Sequence, residues 1–278
     1  MTNRTAPNAA PTSSKSHDWR AAGAAWGTRA ADWAYLAEPG FRRLYQTVHD
    51  RVGVSAGTLL LDVACGAGLA LQLATERGAL ASGLDASPGL LAIARARSPR
   101  ADLREGTMFD LPFPDASFDV VTSFNGIWAG CDEALAEVRR VLRPDGTAAL
   151  AFWSNQPCAN LEIFRALQAL QAATDAESSR THLEISVPGV AEAMLESAGF
   201  VPTERDTVEI VSESPDPQLA WRAWSAAGPA FAAIGNLGEP AVRDCVLAVL
   251  EPLHDPHIGS RAAGYFDYVI ATLAKPSS

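Results

Sequence analysis

A doubly wound α/β fold is what this sequence predicts: a sheet of seven strands, mostly parallel with the last antiparallel, and helical additions above it. Three observations carry that reading. Between Leu59 and Trp153, short apolar runs alternate with helical segments, the order expected of a parallel sheet covered on both faces. The runs are nearly continuous in apolar residues, as strands buried on both faces require. A further segment, Tyr265–Leu273, is rich in aromatic and β-branched residues. It is too apolar for an edge and is expected to lie antiparallel beside the fifth strand.

The elements follow in order. Trp19 to about Val54 reads as two helices broken at Pro39-Gly40. Leu59–Val63 is the first strand, followed by glycines and a helix to about Arg77. Leu80–Leu84 is the second strand. Ser87-Pro88 opens a helix to Arg97, with serine suited to the cap and proline to the first turn. Ala101–Glu105 is a weaker third strand and Phe118–Phe124 a strong fourth. Asp132 is expected to cap a helix carrying Leu135, Val138, Val141 and Leu142, which ends at the Pro144-Asp145-Gly146 turn. Thr147–Trp153 is the fifth strand. Beyond it the alternation stops. Helices are expected over Leu161–Ala173 and Val190–Ala198, a strand over Thr203–Val211, and two helices within 217–252 joined at Gly235–Gly238.

Composition removes several chemistries. The chain has 278 residues, 48% of them hydrophobic, enough for one large domain or one domain with an insertion. Acidic residues outnumber basic ones by 32 to 22, a formal charge of −10, whereas a nucleic-acid binder normally presents a basic face. Only two lysines occur, Lys15 and Lys275, both in the tails, so no core lysine serves a Schiff base or a phosphate loop. The four cysteines form no CxxC pair, which fits a reducing compartment, and no run is long enough to span a membrane. Residues 1–17 read as a disordered tail without the apolar stretch of a signal peptide. The expectation is a cytoplasmic protein.

The chemistry is concentrated in Leu59–Gly68, where an apolar strand ends at Asp62 and small residues turn the chain into a helix. Small residues let a ligand approach the backbone, and the helix start offers free N–H groups. Asp85 closes the second strand, where a carboxylate can accept from both ribose hydroxyls. A dinucleotide site would want glycine where Leu71 stands, and Asp62 would repel a pyrophosphate. A nucleoside with a cationic arm, S-adenosylmethionine, suits both acids.

At this point the chain resembles class I S-adenosylmethionine-dependent methyltransferases, in their small-molecule, quinone-biosynthesis-like branch. The resemblance rests on Leu61–Gly68, Gly83-Leu84-Asp85, Leu111-Pro112-Phe113, Ser117–Val121 and Arg140–Gly146, and covers about residues 55 to 155. It implies a Rossmann-like core with S-adenosylmethionine as cofactor. Asp62, Ala64, Gly66 and Gly68 would line its methionine end, and Asp85 would hold the ribose. Ala86, Met108 and Phe109 would border the adenine, with Phe124 and Asn125 beside the sulfonium. Ala64 replaces a common glycine, Thr107 stands where an acid often faces the adenine amine, and Asp145 replaces a turn glycine.

For the acceptor, Trp26, Tyr35, Ile127 and Trp128 are the candidate pocket residues, while Trp153, Trp221 and Trp224 read as packing. No general base is assigned; His182 is a weak candidate, with a surface histidine the plainer reading. His254 and His257 have a metal-like spacing but no third ligand and read as a turn. Arg139, Arg140 and Arg143 read as a solvated helix end. The expected organisation is a tail (1–17), an N-terminal helical lid (18–54), a cofactor core (55–155), a helical insertion (156–187) and a sheet end with inserted helices forming an acceptor lid (188–278). The function expected is methyl transfer to a small organic acceptor at oxygen, nitrogen or carbon. A cofactor-binding protein without methyl transfer stays open, as does a nicotinamide oxidoreductase, the latter disfavoured by Leu71 and the missing lysines.

Overall fold

Leu59–Val63 (β1) is buried along almost its whole length and lies between Leu80–Asp85 (β2) and Phe118–Phe124 (β4), parallel to both. The computed structural model describes residues 18–173 and 184–274; the predicted tail and His182 lie outside them. Asp102–Glu105 (β3) extends the sheet beyond β2, and Leu142–Trp153 (β5) extends it beyond β4. The strand order is β3-β2-β1-β4-β5-β8-β6. Gly259–Leu273 (β8) runs antiparallel between β5 and Phe200–Ser214 (β6), so the apolar C-terminal segment is indeed interior. A two-residue strand, His254–Asp255 (β7), also pairs with β8 and makes eight strands where seven were expected.

The strand boundaries differ from the sequence reading for identifiable reasons. β6 and β8 are each 15 residues long because they continue as a two-stranded ribbon out to Ser214 opposite Ser260. There neighbouring backbone, not apolar patterning, supplies the pairing. β5 starts at Leu142 rather than Thr147, since Leu142 pairs with Phe118 before a register shift that carries Pro144-Asp145-Gly146 as an irregularity.

Helices cover both faces. Arg42–Arg51 (α3) and Leu69–Glu76 (α4) bury Leu44, Tyr45, Val48, Leu69 and Leu73 against the β5-β8-β6 side, while Pro88–Arg97 (α5) buries Leu91 beside β1 and β4. Asp132–Val141 (α6) and Val190–Ser197 (α8) bury Leu135, Val138, Met194 and Leu195 in another cluster. Cys131, not Asp132, takes the capping position of α6. Ala159–Ala173 (α7), Pro217–Ser225 (α9), Gly228–Leu237 (α10) and Glu239–Leu250 (α11) share a separate core around Ile163, Trp221 and Val246. These last segments form three helices, not two, because Gly228-Pro229 starts a new one; proline fits a first turn and stops what precedes it.

At the N-terminus Trp19–Gly27 (α1) is capped by Asp18, whose carboxylate accepts from the Ala21 N–H at 3.1 Å. The chain then makes a single turn at Ala30–Asp32 (α2), a π-helical turn at Trp33–Ala37 and a 3₁₀ turn at Glu38–Phe41. The wide turn re-phases the side chains that follow it, as inserted residues in helices do. No described helix is long and apolar enough to cross a membrane.

Candidate functional site

A cavity of about 470 Å³ opens over the carboxyl ends of β1, β2, β4 and β5, where strand order reverses between β1 and β4. Open α/β sheets bind ligands at such switch points, and the volume falls within the range of small-molecule sites. Ala64, Gly66, Asp85, Ala86, Met108, Phe109, Phe124 and Asn125 all line it, and so do Trp26, Ile127 and Trp128.

Local sequence explains the first wall. Ala64, Gly66 and Gly68 have φ of 61°, 55° and 79°, so the chain after β1 reverses through alternate left-handed residues. Glycine adopts that conformation freely, while Ala64 holds it at a cost of about 1–2 kcal/mol. Gly68 does not line the cavity: a Cβ there would meet the Ala94 Cβ at 2.8 Å, so this glycine brings α4 against α5. Asn125 is also left-handed, at φ 60°, directly after β4. A Cβ on Gly126 would meet the Ala64 Cβ at 2.4 Å, which fits the two turns closely together.

Three acids gather around this loop. Asp85 receives the Gly66 N–H on Oδ2 and the Ser87 N–H on Oδ1, each at 2.8 Å. Burial pushes its carboxyl above the usual range, opposed by those backbone donors. A carboxylate offers about four acceptor positions, so capacity remains for a hydroxyl group in the cavity. Asp62 lies behind the cavity wall rather than in it and accepts from the Thr122 hydroxyl at 2.7 Å. Burial pushes Asp62 up to about 8, against the Thr122 bond and with the added repulsion of Asp85 and Glu38.

The Asp62 value has a signed consequence. Its folded-state value lies above the ordinary 3.8, so between the two the folded chain holds a proton that the unfolded chain has released. Stability from this group is therefore present at low pH and is lost as pH rises toward about 8, by up to ~1.4 kcal/mol per pH unit. Asp62→Asn should flatten that slope. Urea midpoints compared at about pH 5 and about pH 8 check it; parallel slopes in the two proteins would remove Asp62 as the source.

Glu38 was not foreseen from the sequence. It is 2% exposed and ion-paired with Arg97 of α5, and its Oε1 accepts the Leu69 N–H at 3.2 Å at the start of α4. Arg97 also donates to the Ala67 carbonyl at 3.0 Å and the Ala34 carbonyl at 2.6 Å. One guanidinium thus ties the N-terminal segment to the glycine turn. α1 sits on the same loops: Gly23 packs so closely on Ala86 that a Cβ would meet its carbonyl oxygen at 1.9 Å.

The other side of the cavity is aromatic. Trp26 meets Trp33 edge-on at 5.2 Å and Phe231 at 5.4 Å, and all three line the space together with Trp153. Such edge contacts hold rings in fixed orientation. Trp153 was read as packing, but its position at the end of β5 puts it in the wall. Tyr35 corrects in the opposite sense. Its side chain is 64% exposed, faces the Arg97 guanidinium at 5.6 Å, and takes no part in the cavity, whereas Trp33, two positions earlier on another face of the turn, lines it. Trp221 is core, as expected. Arg140 is no solvated helix end: it pairs with Glu137 and Asp115 and donates to the carbonyls of Leu111 and Phe113. Among the described residues no group of three His, Cys, Asp or Glu side chains is arranged to hold a metal.

Sequence signals existed for some of what was missed. Trp33 and Trp153 stand beside strand or helix ends, as pocket residues do, but nothing local separates them from core tryptophans. Glu38 and Arg97 are 59 positions apart, and only the fold joins them.

Comparison with known proteins agrees with this geometry. Residues 61–150 match the family described as a methyltransferase domain. A protein of Mycolicibacterium smegmatis named "probable S-adenosylmethionine-dependent methyltransferase" is 40% identical over 109 residues, 38% of this chain and 42% of its own length. A demethylmenaquinone methyltransferase of Renibacterium salmoninarum is 37% identical over 116 residues, 41% of this chain and 49% of its own. The chain spans about half the length of the curated relatives it matches. Among solved structures, the [4+2]-cyclase SpnF shares the fold with a TM-score of 0.53 at 23% identity, over 84% of this chain and 81% of that one. The glycine turn, the two strand-end acids and the matched segment together identify residues 61–150 as a class I S-adenosylmethionine-dependent methyltransferase domain.

Proposed function

We propose that the protein transfers a methyl group from S-adenosylmethionine to a small, largely apolar organic acceptor, with S-adenosylhomocysteine as the other product. The observation that carries this reading is that one cavity joins a nucleoside-type wall, built on Gly66 and Asp85, to an aromatic compartment built on Trp26, Trp33, Trp128 and Trp153. Asp85 would accept from the ribose hydroxyls, with Ala86, Met108 and Phe109 bordering the adenine. Asp62 and Glu38 stand behind the glycine turn, where an arriving ammonium group would favour their ionised forms. Phe124 and Asn125 would flank the sulfonium, whose methyl is already activated for in-line displacement. The chain's own task is then to align the acceptor and keep water out, which the aromatic walls do by shape.

The N-terminal segment 18–54 acts as a cover in this reading, with α1 and α10 closing the acceptor side. The acidic balance of the chain disfavours nucleic acid as acceptor. One observation keeps a second reading, cofactor binding without methyl transfer, in view: a protein titled a [4+2]-cyclase carries the same fold, so the fold alone does not require methyl transfer.

Labelled S-adenosylmethionine incubated with the protein and a metabolite extract tests the proposal. Label should pass to an organic-soluble product. Trp128→Ala should lower that turnover by roughly tenfold or more while S-adenosylhomocysteine binding stays near normal, as loss of acceptor positioning implies. Tight binding with no transfer would favour the second reading. A Trp128→Ala protein that melts earlier yet methylates normally would move the acceptor away from that residue.

A further inference from the structure

Behind the reaction cavity lies a second hollow of about 80 Å³, and the two share Trp33, Trp153 and Ala227 as common walls. Its far side is formed by Phe164 of α7 and by Ala220, Ala223 and Trp224 of α9, while Asn160 and Glu213 add polar groups to the lining. A row of ring contacts runs through the shared walls from one space to the other. Trp26 touches Trp33 at 5.2 Å, Trp33 touches Phe41 at 5.6 Å, Phe41 touches Trp153 at 5.8 Å, Trp153 touches Phe164 at 5.9 Å, and Phe164 touches Trp224 at 6.3 Å.

Two magnitudes decide what this hollow is for. Small-molecule sites run from roughly 300 to 1,000 Å³, so a space of about 80 Å³ is too small to hold a ligand of its own. Protein interiors otherwise pack at crystal density, with few voids larger than a water molecule. Here Trp33, Trp153, Phe164 and Trp224 all stay half-buried, whereas Trp221 on the same helix as Trp224 is fully packed. Apolar ring surface is left partly uncovered where it continues the wall of the reaction cavity.

We infer that the second hollow seats an apolar arm of the acceptor. The acceptor class is an elongated molecule: its reacting end lies near Asn125 and Trp128, and a hydrocarbon or aromatic arm passes Trp33 and Trp153 to rest on Phe164 and Trp224. This rests on the reading of the main cavity as a methyl-transfer site. It adds that specificity for arm length resides in helices α7 and α9, outside residues 61–150 that match the methyltransferase domain family.

The test uses binding rather than turnover. The full chain, loaded with S-adenosylhomocysteine, is titrated calorimetrically with 4-ethylphenol, 4-butylphenol and 4-octylphenol. In the unaltered protein, affinity should rise by up to about fourfold per added methylene until the arm fills the hollow. Ala223→Phe fills it from α9, and Ala220→Leu does so more mildly should the larger side chain prevent folding. Either variant should abolish the gain from the longer arm and leave binding of 4-ethylphenol and of S-adenosylhomocysteine unchanged. A chain-length gain that survives in the folded variants, or that is absent from the unaltered protein, overturns the inference while the methyl-donor reading stands. Failure of the unaltered protein to bind S-adenosylhomocysteine overturns that reading, and this inference with it.

Discussion

Asp85→Ala is expected to weaken S-adenosylhomocysteine binding by ~1–3 kcal/mol, roughly fivefold to 150-fold in Kd, because in the proposed binding mode the ribose hydroxyls lose a charged acceptor. The carboxylate has a second task that enlarges the effect. Its oxygens hold the Gly66 and Ser87 N–H groups at 2.8 Å, and so fix the turn after β1 relative to the start of α5. The alanine variant leaves both donors without that partner and should also melt earlier. Asp85→Asn keeps one acceptor oxygen and the shape of the side chain, so it should fall between the two proteins in both measurements. Calorimetry with each variant distinguishes the contributions. Unchanged affinity in a folded Asp85→Ala protein would take this residue out of the site.

Arg97→Met is expected to be the most destabilising single change, by about 3–5 kcal/mol, since it leaves the Glu38 carboxylate buried without its cation. The methionine fills much of the same volume but donates nothing to Ala34, Ala67 or Glu38. Burial already pushes Glu38 above the ordinary carboxylate range, and Arg97 is what opposes it. Without the arginine the folded protein would hold a proton on Glu38 that the unfolded chain releases, so the deficit should shrink as pH falls. Adding Glu38→Gln removes the buried charge while keeping an oxygen for the Leu69 N–H, and should restore part of the loss. Urea unfolding of the single and double variants measures this; a single-variant loss under about 1 kcal/mol would make the pair unimportant.

What could be read in the sequence was what short stretches dictate. The turn from β1 into α4 was legible because an apolar run, an acid and small residues occur within ten positions, and each has a local physical reason. Asp85 was legible because it ends the next apolar run. The interior position of β8 was legible because Tyr265–Leu273 has no polar face to show to solvent. The ribbon formed by β6 and β8 was not, since Ser212, Ser214 and Ser260 pair through backbone alone. The acceptor compartment was half legible. Trp26, Ile127 and Trp128 adjoin recognisable elements, whereas Trp33 and Phe231 meet Trp153 only when two distant helical segments close on the sheet. Tyr35 failed for a related reason: residues two apart on a helix lie on different faces, and only tertiary packing decides that Trp33 is the one facing the cavity.

The place of β8 between β5 and β6 sets an order of events during synthesis. β5 is complete at Trp153, but the strand that pairs with its outer edge begins only at Gly259. At ribosomal rates of about 5–20 residues per second, the intervening chain takes roughly 5–20 s to emerge. Through that interval the nascent sheet ends in an unpaired apolar edge, Thr147–Trp153, of the kind that recruits foreign strands. The nucleoside-type wall, made by residues before Trp128, already exists then, while Phe231 and the strand that pairs with Trp153 do not. On the proposed reading, a growing chain therefore completes the donor side of its cavity before the acceptor side.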